Sequence, residues 1–290
     1  MKARIHTAAI CAVIFGLVIS FSGCNRSGEP SASPAELFLS RTPIPSADTS
    51  MTLEAAYQAQ AAFVKRLQEQ YGPVVGYKVG LTSQKAQQRF GVHHPIMGVL
   101  LERMLLPQGA TISADFGARP MFELDLLVRV GDERINQART TAEALQYLDA
   151  VIPFIELPDL AYAEDVPLNA AALVAVNAGA RLGIMGDPIP ITPEGDWMQR
   201  LSEFEAKIAQ DTTVIGGGFG RDLLGHPLNA VMWLKNEVHK RGMKLKKGDL
   251  LSLGGLTPPQ PVKPGSLIRA RYMNLDPRRT IVEISVLLGE

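Results

Sequence analysis

Three acidic residues stand inside runs of apolar residues, where an unpaired charge is costly. Glu123 and Asp125 interrupt the apolar stretch 121–130, and Glu156 lies near the end of the apolar stretch 151–157. Residues two apart on a strand point to the same face, so Glu123 and Asp125 are predicted to project together. Buried like charges repel each other and are expensive to remove from water. The pattern therefore predicts a cation between these carboxylates.

The cation that these side chains favour is a hard divalent metal. Carboxylate oxygens are the ligands that Mg²⁺ and Mn²⁺ prefer, and the sequence has no His-x-x-x-His spacing that would indicate zinc. We therefore predict that Glu123, Asp125 and Glu156 hold Mg²⁺ or Mn²⁺. The alternative is a sheet face open to water, on which the acids are merely solvated.

A single lysine, Lys78, lies in a short apolar stretch between Gly76 and Gly80. Glycines allow the backbone and a ligand to approach closely. The ammonium group of Lys78 is therefore a candidate for binding a substrate carboxylate or for transferring a proton. The alternative is an exposed lysine at the edge of a sheet.

The spacing of apolar residues predicts the elements that must position these side chains. From Leu53 to Tyr71 they recur at steps of three and four residues, which is typical of an amphipathic helix. Further helices are predicted at 141–150 and 227–241, and strands at 74–80, 121–130, 151–157, 249–253, 266–273 and 280–288. Strands and helices do not alternate regularly and no dinucleotide fingerprint follows a strand, so the sequence favours an α+β fold over a Rossmann domain.

Composition narrows the function classes. The chain has 290 residues, of which 46% are hydrophobic, as expected of a globular protein. Lys and Arg (29) balance Asp and Glu (29), so no general positive field favours nucleic acid, and nucleic-acid binding is not expected. The two cysteines, Cys11 and Cys24, are too few for a disulfide framework or a cysteine-rich zinc site.

The N-terminus has the layout of a secretory signal. Lys2 and Arg4 precede the apolar run 8–21, which is shorter than the roughly 20 residues that span a membrane. We predict a signal peptide at 1–23. The stretch Phe21-Ser22-Gly23-Cys24 resembles the lipobox of bacterial lipoproteins, which predicts lipidation of Cys24. The alternative is an ordinary signal peptide cut near Gly23.

Residues 24–48 are rich in serine and proline and predict a flexible, lipidated tether to a folded domain at 49–290. Together with the signal peptide, this arrangement predicts an exported protein on the periplasmic side. It is expected to be an outer-membrane lipoprotein that contacts the membrane through its lipid anchor.

Several motifs follow one another along the folded part of the chain. They are Gly76-Tyr77-Lys78-Val79-Gly80-Leu81-Thr82, Phe90-Gly91-Val92, Gly98-Val99-Leu100, Glu123-x-Asp125, Pro153-x-x-Glu156 and Gly225-His226-Pro227-Leu228-Asn229-Ala230. In this order they resemble the 2-keto-4-pentenoate hydratase branch of the fumarylacetoacetate hydrolase family, whose sister enzymes decarboxylate 4-oxalocrotonate. The resemblance implies an α+β fold in which mixed β-sheets roll around a metal site with peripheral helices. It also implies assembly as a homo-oligomer.

The resemblance also implies roles for individual residues. It places Glu123, Asp125 and Glu156 on the metal-ligand positions, with Asp125 where the family usually has Glu, and it places Lys78 on the active-site lysine. Where the family carries further acids, this chain has Ile96 and Val176. We therefore hypothesise that His94, whose imidazole can accept and donate a proton, replaces a lost proton carrier.

The expected function is that of a metal-dependent, hydratase-like enzyme. Hydratases of this family add water to a 2-hydroxy-2,4-dienoate and form a 4-hydroxy-2-oxo acid, so the expected partner is a small 2-oxo or 2-hydroxydienoic acid. Three alternatives stay open: a decarboxylase, a keto-enol tautomerase, and a non-catalytic lipoprotein that binds small acids.

Overall fold

The computed structural model describes residues 32–290, and residues Ser33–Glu290 form one compact unit. The helices are α1 (Pro34–Leu39), α2 (Leu53–Tyr71), α3 (Gln84–Arg89), α4 (Thr141–Leu145), α5 (Ala170–Ala175), α6 (Trp197–Glu203) and α7 (Pro227–Lys240). The strands are β1 (Val74–Gly80), β2 (Ile96–Leu101), β3 (Leu105–Pro107), β4 (Thr111–Ser113), β5 (Met121–Val130), β6 (Leu148–Leu157), β7 (Leu182–Met185), β8 (Ile189–Pro190), β9 (Glu205–Gln210), β10 (Thr213–Phe219), β11 (Leu250–Ser252), β12 (Gln260–Pro261), β13 (Leu267–Met273) and β14 (Ile281–Gly289).

Within this part of the chain, the strands form a nine-stranded and a five-stranded sheet. The larger sheet has the order β2-β1-β11-β5-β6-β7-β3, with β12 beside β5 and β8 beside β6. It is mixed, because β1 pairs with β11 in parallel whereas β5 pairs with both of its neighbours antiparallel. The sheet curls into a half-barrel. The predicted α+β class with mixed sheets is confirmed.

The smaller sheet has the order β10-β9-β13-β14-β4 and packs on the convex face of the larger one. Ile284 of β14 lies against Gly186, next to Pro153 of β6. The apolar residues on this side of β5, Phe122, Leu124 and Leu126, are fully buried. The main core therefore lies between the sheets and leaves the acidic residues of β5 on the concave side, because alternate side chains point to opposite faces.

Two of the predicted helices have clear boundary signals. In α2, the hydroxyl of Thr52 accepts a hydrogen bond from Ala55 N at 3.2 Å, and the helix ends at Gly72, whose φ is 82°. In α7, Pro227 occupies the first turn, and the His226 ring caps the N-terminus by accepting a hydrogen bond from Leu228 N at 3.0 Å. Both helices are confirmed.

The structure corrects the predicted tether, because residues 33–48 are folded. A capping box between Ser33 and Glu36 starts α1. Phe38 is fully buried, with its ring 5.2 Å from that of Phe63 of α2. The Arg181 guanidinium lies 4.2 Å from the Phe38 ring centroid and donates to Phe38 O at 2.6 Å. The composition is that of a linker, but these contacts fix the segment.

Beyond α1, the same segment joins the loop that follows Glu156. Ile44 N donates to Ala161 O at 2.8 Å, and Ala163 N donates to Ile44 O at 3.0 Å. Ile44 itself is buried. We call residues 33–48 the N-terminal strap, because they cross the loop between β6 and α5 and are held at both ends.

The predicted signal peptide at 1–23 and the lipidation site Cys24 lie outside the described residues. Both stay predictions. In residues 32–290, no helix has the length and apolar character needed to cross a membrane.

We predict that Phe38→Ala destabilises the folded protein by about 3–5 kcal/mol, the usual cost of removing a buried aromatic side chain. Chemical denaturation followed by fluorescence measures the free energy of unfolding. Ser46→Ala, an exposed position in the same strap, is the control and is expected to change it by less than about 0.5 kcal/mol. Equal stability of both variants would show that the strap does not hold the fold.

Candidate active site

The three carboxylates lie together on the concave face of the larger sheet. Glu123 of β5 is directly opposite Glu156 of β6, and Asp125, two residues along, shares their face. The carboxyl group of Glu156 lies close enough to that of Glu123 to raise the pKa of Glu123. Asp125 is 0% exposed and Glu156 2% exposed. The alternative of a solvated sheet face is therefore wrong.

Lys78 reaches the same face from β1. Lys78 pairs with Ser252 of β11 on one side and with Gly98 of β2 on the other, so it lies on an interior strand of the sheet. Lys78 is 3% exposed, and its ammonium donates to the Glu156 carboxylate and, at 3.2 Å, to Ala178 O. The alternative of an exposed edge lysine is also wrong.

Two glycines, Gly98 and Gly255, leave space for the side chains of the cluster. The glycines on either side of Lys78, Gly76 and Gly80, do not have this role. A Cβ on Gly98 would stand 2.8 Å from Lys78 Cγ and 2.8 Å from Asn177 O. A Cβ on Gly255 would overlap the Glu123 carboxylate. Gly76, by contrast, is required by the close backbone of β11, since its Cβ would collide with Leu250 O.

Burial and crowding set the protonation of the cluster. Burial, followed by the nearby Glu156 carboxylate, raises the pKa of Glu123 well above its usual value. The same two causes, in that order, raise the pKa of Asp125 to about 7, against the hydrogen bonds that it accepts. Burial opposes the charged form of Lys78, but Glu156 and Glu123 outweigh it and raise the pKa of the ammonium. Lys78 therefore stays charged, the Glu123 carboxyl group favours its protonated form, and Asp125 is about half protonated near pH 7.

Sequence reasoning missed Ser252. Its hydroxyl is fully buried and donates to Asp125 Oδ2 at 2.5 Å, while Leu126 N donates to Asp125 Oδ1 at 2.5 Å. Both oxygens of Asp125 thus have a partner within the sheet. The signal was present, because Ser252 is a polar residue inside an apolar strand, as Glu123 and Asp125 are.

A turn after α5 was also missed. Asn177, Ala178 and Gly179 have φ values of 63°, 51° and 72°, a left-handed run that non-glycine residues seldom adopt. The Asn177 side chain fixes the turn by accepting from Val99 N at 2.7 Å and donating to Val99 O at 2.9 Å. The turn thereby presents Ala178 O to Lys78. An Asn followed closely by Gly is a readable turn signal.

The comparison with known proteins agrees with this geometry. The sequence aligns with a 2-keto-4-pentenoate hydratase of Paraburkholderia xenovorans (strain LB400) at 31% identity over 239 residues, 82% of this chain and 87% of the relative. The chain belongs to the 2-keto-4-pentenoate hydratase branch of the fumarylacetoacetate hydrolase family. No family model matches the sequence.

Other members of this branch extend the comparison. A 4-oxalocrotonate decarboxylase of Pseudomonas putida is 29% identical over 225 residues, 78% of this chain and 83% of the relative. The solved 4-oxalocrotonate decarboxylase from Pseudomonas putida G7, complexed with magnesium and adipate, superposes with a TM-score of 0.70 at 28% identity, covering 82% of this chain and 86% of that chain. The predicted fumarylacetoacetase-like fold is confirmed.

The residues of this hydratase-branch member fit a divalent cation by donor type and by charge. The cluster places three carboxyl groups, two of them buried, beside one ammonium, and the raised pKa values of Glu123 and Asp125 indicate that positive charge is lacking. Within residues 32–290, however, no three Asp, Glu, His or Cys side chains already stand close enough to enclose an ion. The Asp125 carboxylate is turned to Ser252, and that of Glu156 to Lys78. Holding one ion with all three carboxylates would therefore require these side chains to rotate.

The structure does not bring His94 into the cluster. His94 is exposed, two residues before β2 begins, and its Nδ1 lies 2.8 Å from Pro95 O. Lys78 pairs with Gly98 of β2. His94 precedes Gly98 by four residues, which correspond to roughly 13 Å along a strand. Ile96 and Val176, at the positions of the family's acids, are both 1% exposed. The role of His94 stays a prediction.

The comparison contradicts the predicted localisation. We expected an exported protein on the periplasmic side, anchored at the outer membrane. The hydratase-branch relatives that align over most of the chain are named as hydratases and decarboxylases of catabolic acids, and none is named as an exported or lipid-anchored protein. That localisation is therefore wrong, and export forms no part of the function proposed below.

We predict that the metal-free protein loses stability as the pH rises. The pKa values of Glu123 and Asp125 are raised in the folded state, so their protonated forms stabilise the fold fully below about pH 4. This stabilisation is lost as the pH passes through the folded values, about 7 for Asp125. Each pKa unit corresponds to about 1.4 kcal/mol.

The measurement is urea denaturation with a chelator from pH 5 to pH 8. The free energy of unfolding should fall across this window, and Mg²⁺ should reduce the fall. Asp125→Asn, which has no proton to lose there, should show a flatter profile. Stability that rises with pH in the metal-free protein would contradict this description of the cluster.

Proposed function

We propose that the protein is a metal-dependent, carbon–oxygen lyase that hydrates a 2-hydroxy-2,4-dienoate or a related 2-oxo acid. The observation that carries the proposal is the cluster of Glu123, Asp125, Glu156 and Lys78 on the concave face, in which all but the partly exposed Glu123 are buried. Support comes from hydratases that align over most of the chain. Homo-oligomeric assembly stays a prediction.

In this proposal, Glu123, Asp125 and Glu156 hold Mg²⁺ or Mn²⁺, as the magnesium complex of the related decarboxylase suggests. A divalent cation here would stabilise negative charge that develops on the 2-oxo and carboxylate oxygens of the substrate. The carboxylates carry enough charge for this, since one lysine balances at most one of them. Ser252 orients Asp125, and Gly255 leaves Glu123 the space that its carboxylate occupies.

Lys78 is proposed to bind the substrate carboxylate and to deliver a proton. Its raised pKa favours the ammonium form, which donates hydrogen bonds and protons but does not act as a base at neutral pH. Ala178 O and the Glu156 carboxylate hold this ammonium in place. The reaction consists of proton transfer to C5 of the dienol with loss of the proton of its 2-hydroxyl group, which forms the 2-oxo-3-enoic acid. Water then adds across C3 and C4, with its hydroxyl group at C4 and its proton at C3.

A decarboxylase using the same site is the second candidate, because 4-oxalocrotonate decarboxylases align about as well as the hydratases do. A keto-enol tautomerase would stop after the proton transfer. A non-catalytic acid-binding protein would keep the pocket and lose turnover. The apolar Ile96 and Val176 support this last candidate, since neither side chain carries a proton.

We predict that Glu123→Ala weakens Mg²⁺ binding by more than about tenfold, because it removes a proposed ligand. Isothermal titration calorimetry measures the dissociation constant. Asp149→Ala is the matched control, because Asp149 is an acid of the same sheet that is partly exposed and paired with Arg129. Equal affinity of Glu123→Ala and wild type would remove Glu123 from the metal site.

We predict that Lys78→Ala lowers turnover of a 2-hydroxy-2,4-dienoate by about 10²- to 10⁴-fold, the usual worth of a proton carrier, while Mg²⁺ affinity persists. Loss of the dienoate's ultraviolet absorbance follows the reaction. Lys207→Ala, an exposed lysine of the smaller sheet, should keep wild-type kinetics. Lys78→Ala with wild-type kinetics would reduce Lys78 to a structural residue.

The same assay separates the candidates. A 4-hydroxy-2-oxo acid as product indicates hydration, release of CO₂ indicates decarboxylation, and a 2-oxo acid without added water indicates tautomerisation. An inactive wild type that still binds the acid indicates a binding protein. A pH–rate profile of His94→Ala that matches wild type would exclude His94 as the proton carrier.

A further inference from the structure

A tyrosine of the smaller sheet reaches into the backbone of the larger one. Tyr272 of β13 is fully buried, and its ring lies 6.3 Å from that of Phe204. Its hydroxyl stands 2.6 Å from Asp125 O, 2.7 Å from Phe154 O and 3.0 Å from Phe154 N. Asp125 and Phe154 face each other across β5 and β6. The hydroxyl therefore sits within the ladder that joins these two strands.

A phenol has one hydrogen and can also accept one. The Tyr272 hydroxyl accepts from Phe154 N and donates to one of the two carbonyl oxygens. In a regular antiparallel ladder, facing residues of a hydrogen-bonded pair bond directly to each other. Here an oxygen atom from a third strand also contacts the backbone of both residues of the pair, so the Tyr272 hydroxyl constrains β5 and β6 at this pair.

The bridge lies one step from the carboxylate cluster. The Asp125–Phe154 pair is adjacent, on the same face, to the Glu123–Glu156 pair, and Asp125 belongs to both the bridge and the cluster. Glu123 and Asp125 come from one strand, and Glu156 comes from the other. The spacing of β5 and β6 at Tyr272 therefore sets the distance between the carboxylates of the two strands.

We propose that the Tyr272 hydroxyl holds β5 and β6 apart at the Asp125–Phe154 pair and that Tyr272 is thereby a positioning residue that sets the size of the cation which the cluster accepts. The inference rests on the proposed metal site and adds a determinant of its selectivity. Mg²⁺ binds oxygen ligands at about 2.0–2.1 Å and Ca²⁺ at about 2.3–2.6 Å. A wider separation of the two strands suits the larger ion, and a narrower one suits the smaller ion.

The test compares Tyr272→Phe with Tyr162→Phe. Both variants lose one buried phenol hydroxyl, since Tyr162 donates to Ala172 O at 3.1 Å, away from the β5–β6 ladder. Calorimetry gives the dissociation constants of Mg²⁺ and Ca²⁺. In Tyr272→Phe we expect the ratio of the Ca²⁺ constant to the Mg²⁺ constant to rise by about tenfold, whereas Tyr162→Phe should leave it within about twofold of wild type.

A crystal structure of Tyr272→Phe supplies a readout that needs no metal. Without the hydroxyl, the Asp125–Phe154 pair should close to the Cα separation of about 5.5 Å that a directly bonded pair adopts. A 4-aminophenylalanine at position 272 keeps a hydrogen-bonding atom in place and should retain the wild-type ion ratio. This variant also carries the test should Tyr272→Phe fail to fold.

The outcomes separate the two proposals. A wild type that binds neither ion overturns the proposed metal site, and the inference with it. A wild type that binds metal, together with an unchanged strand spacing or an unchanged ion ratio in Tyr272→Phe, overturns the inference alone. Closure of the strands with the expected shift, and recovery in the 4-aminophenylalanine variant, supports both.

Discussion

The structure depends on one electrostatic constraint, the placement of three carboxyl groups, two of them buried and one partly exposed, beside a single ammonium. Removing each ion from water costs several kcal/mol in a real protein, so an uncompensated cluster of this kind would work against the fold. Lys78 neutralises Glu156 directly. The remaining excess of negative charge is relieved by protonation. Burial and the nearby Glu156 carboxylate accordingly raise the pKa values of Glu123 and Asp125. A divalent cation bound here would relieve the same excess of negative charge without protons, so metal binding at this site would be linked to proton release.

Strand register is the means by which the fold assembles this cluster. A slip of one residue between β5 and β6 would turn Glu156 to the convex side, into the apolar core between the sheets. The Glu123–Glu156 pairing is therefore held from several directions. Tyr272 bridges the adjacent pair, and Ser252 ties Asp125 to β11. The N-terminal strap binds the loop that leaves β6. These contacts stabilise the register of β5 and β6 and so offset the repulsion between the like charges.

Part of this arrangement could be predicted from the sequence. Strand alternation is a local property, so it predicts that Glu123 and Asp125 share a face. An acid within an apolar run predicts that Glu156 is buried. The pairing of Glu123 with Glu156 could not be predicted in the same way, because register between separate strands depends on the whole sheet. The environment of Lys78 was likewise out of reach, since Ala178 O comes from a turn a hundred residues away.

The strap shows a different limit of sequence reasoning. Its serines and prolines are typical of a linker, and composition alone favours a tether. The stronger signals were positional: a capping box between Ser33 and Glu36, followed at once by the apolar run Leu37-Phe38-Leu39. The strand β6 gives the opposite case. Helical spacing after Thr141 predicted a helix to residue 150, whereas α4 ends at Leu145 and the strand begins at Leu148. Pairing with β5 overrides the local preference there.

The differences from the family pattern all reduce the number of groups at the site that are free to carry a proton. Asp125 is one methylene shorter than the usual Glu, and both its oxygens are bound within the sheet, by Ser252 and by Leu126 N. Ile96 and Val176 replace acids with buried apolar side chains, which carry no proton and exclude water. Proton transfer near the cluster is therefore left to fewer groups than the family pattern offers. Among the buried groups, Lys78 is the one that is charged and aimed at the carboxylates, so the chemistry of this site depends on how firmly its ammonium is held.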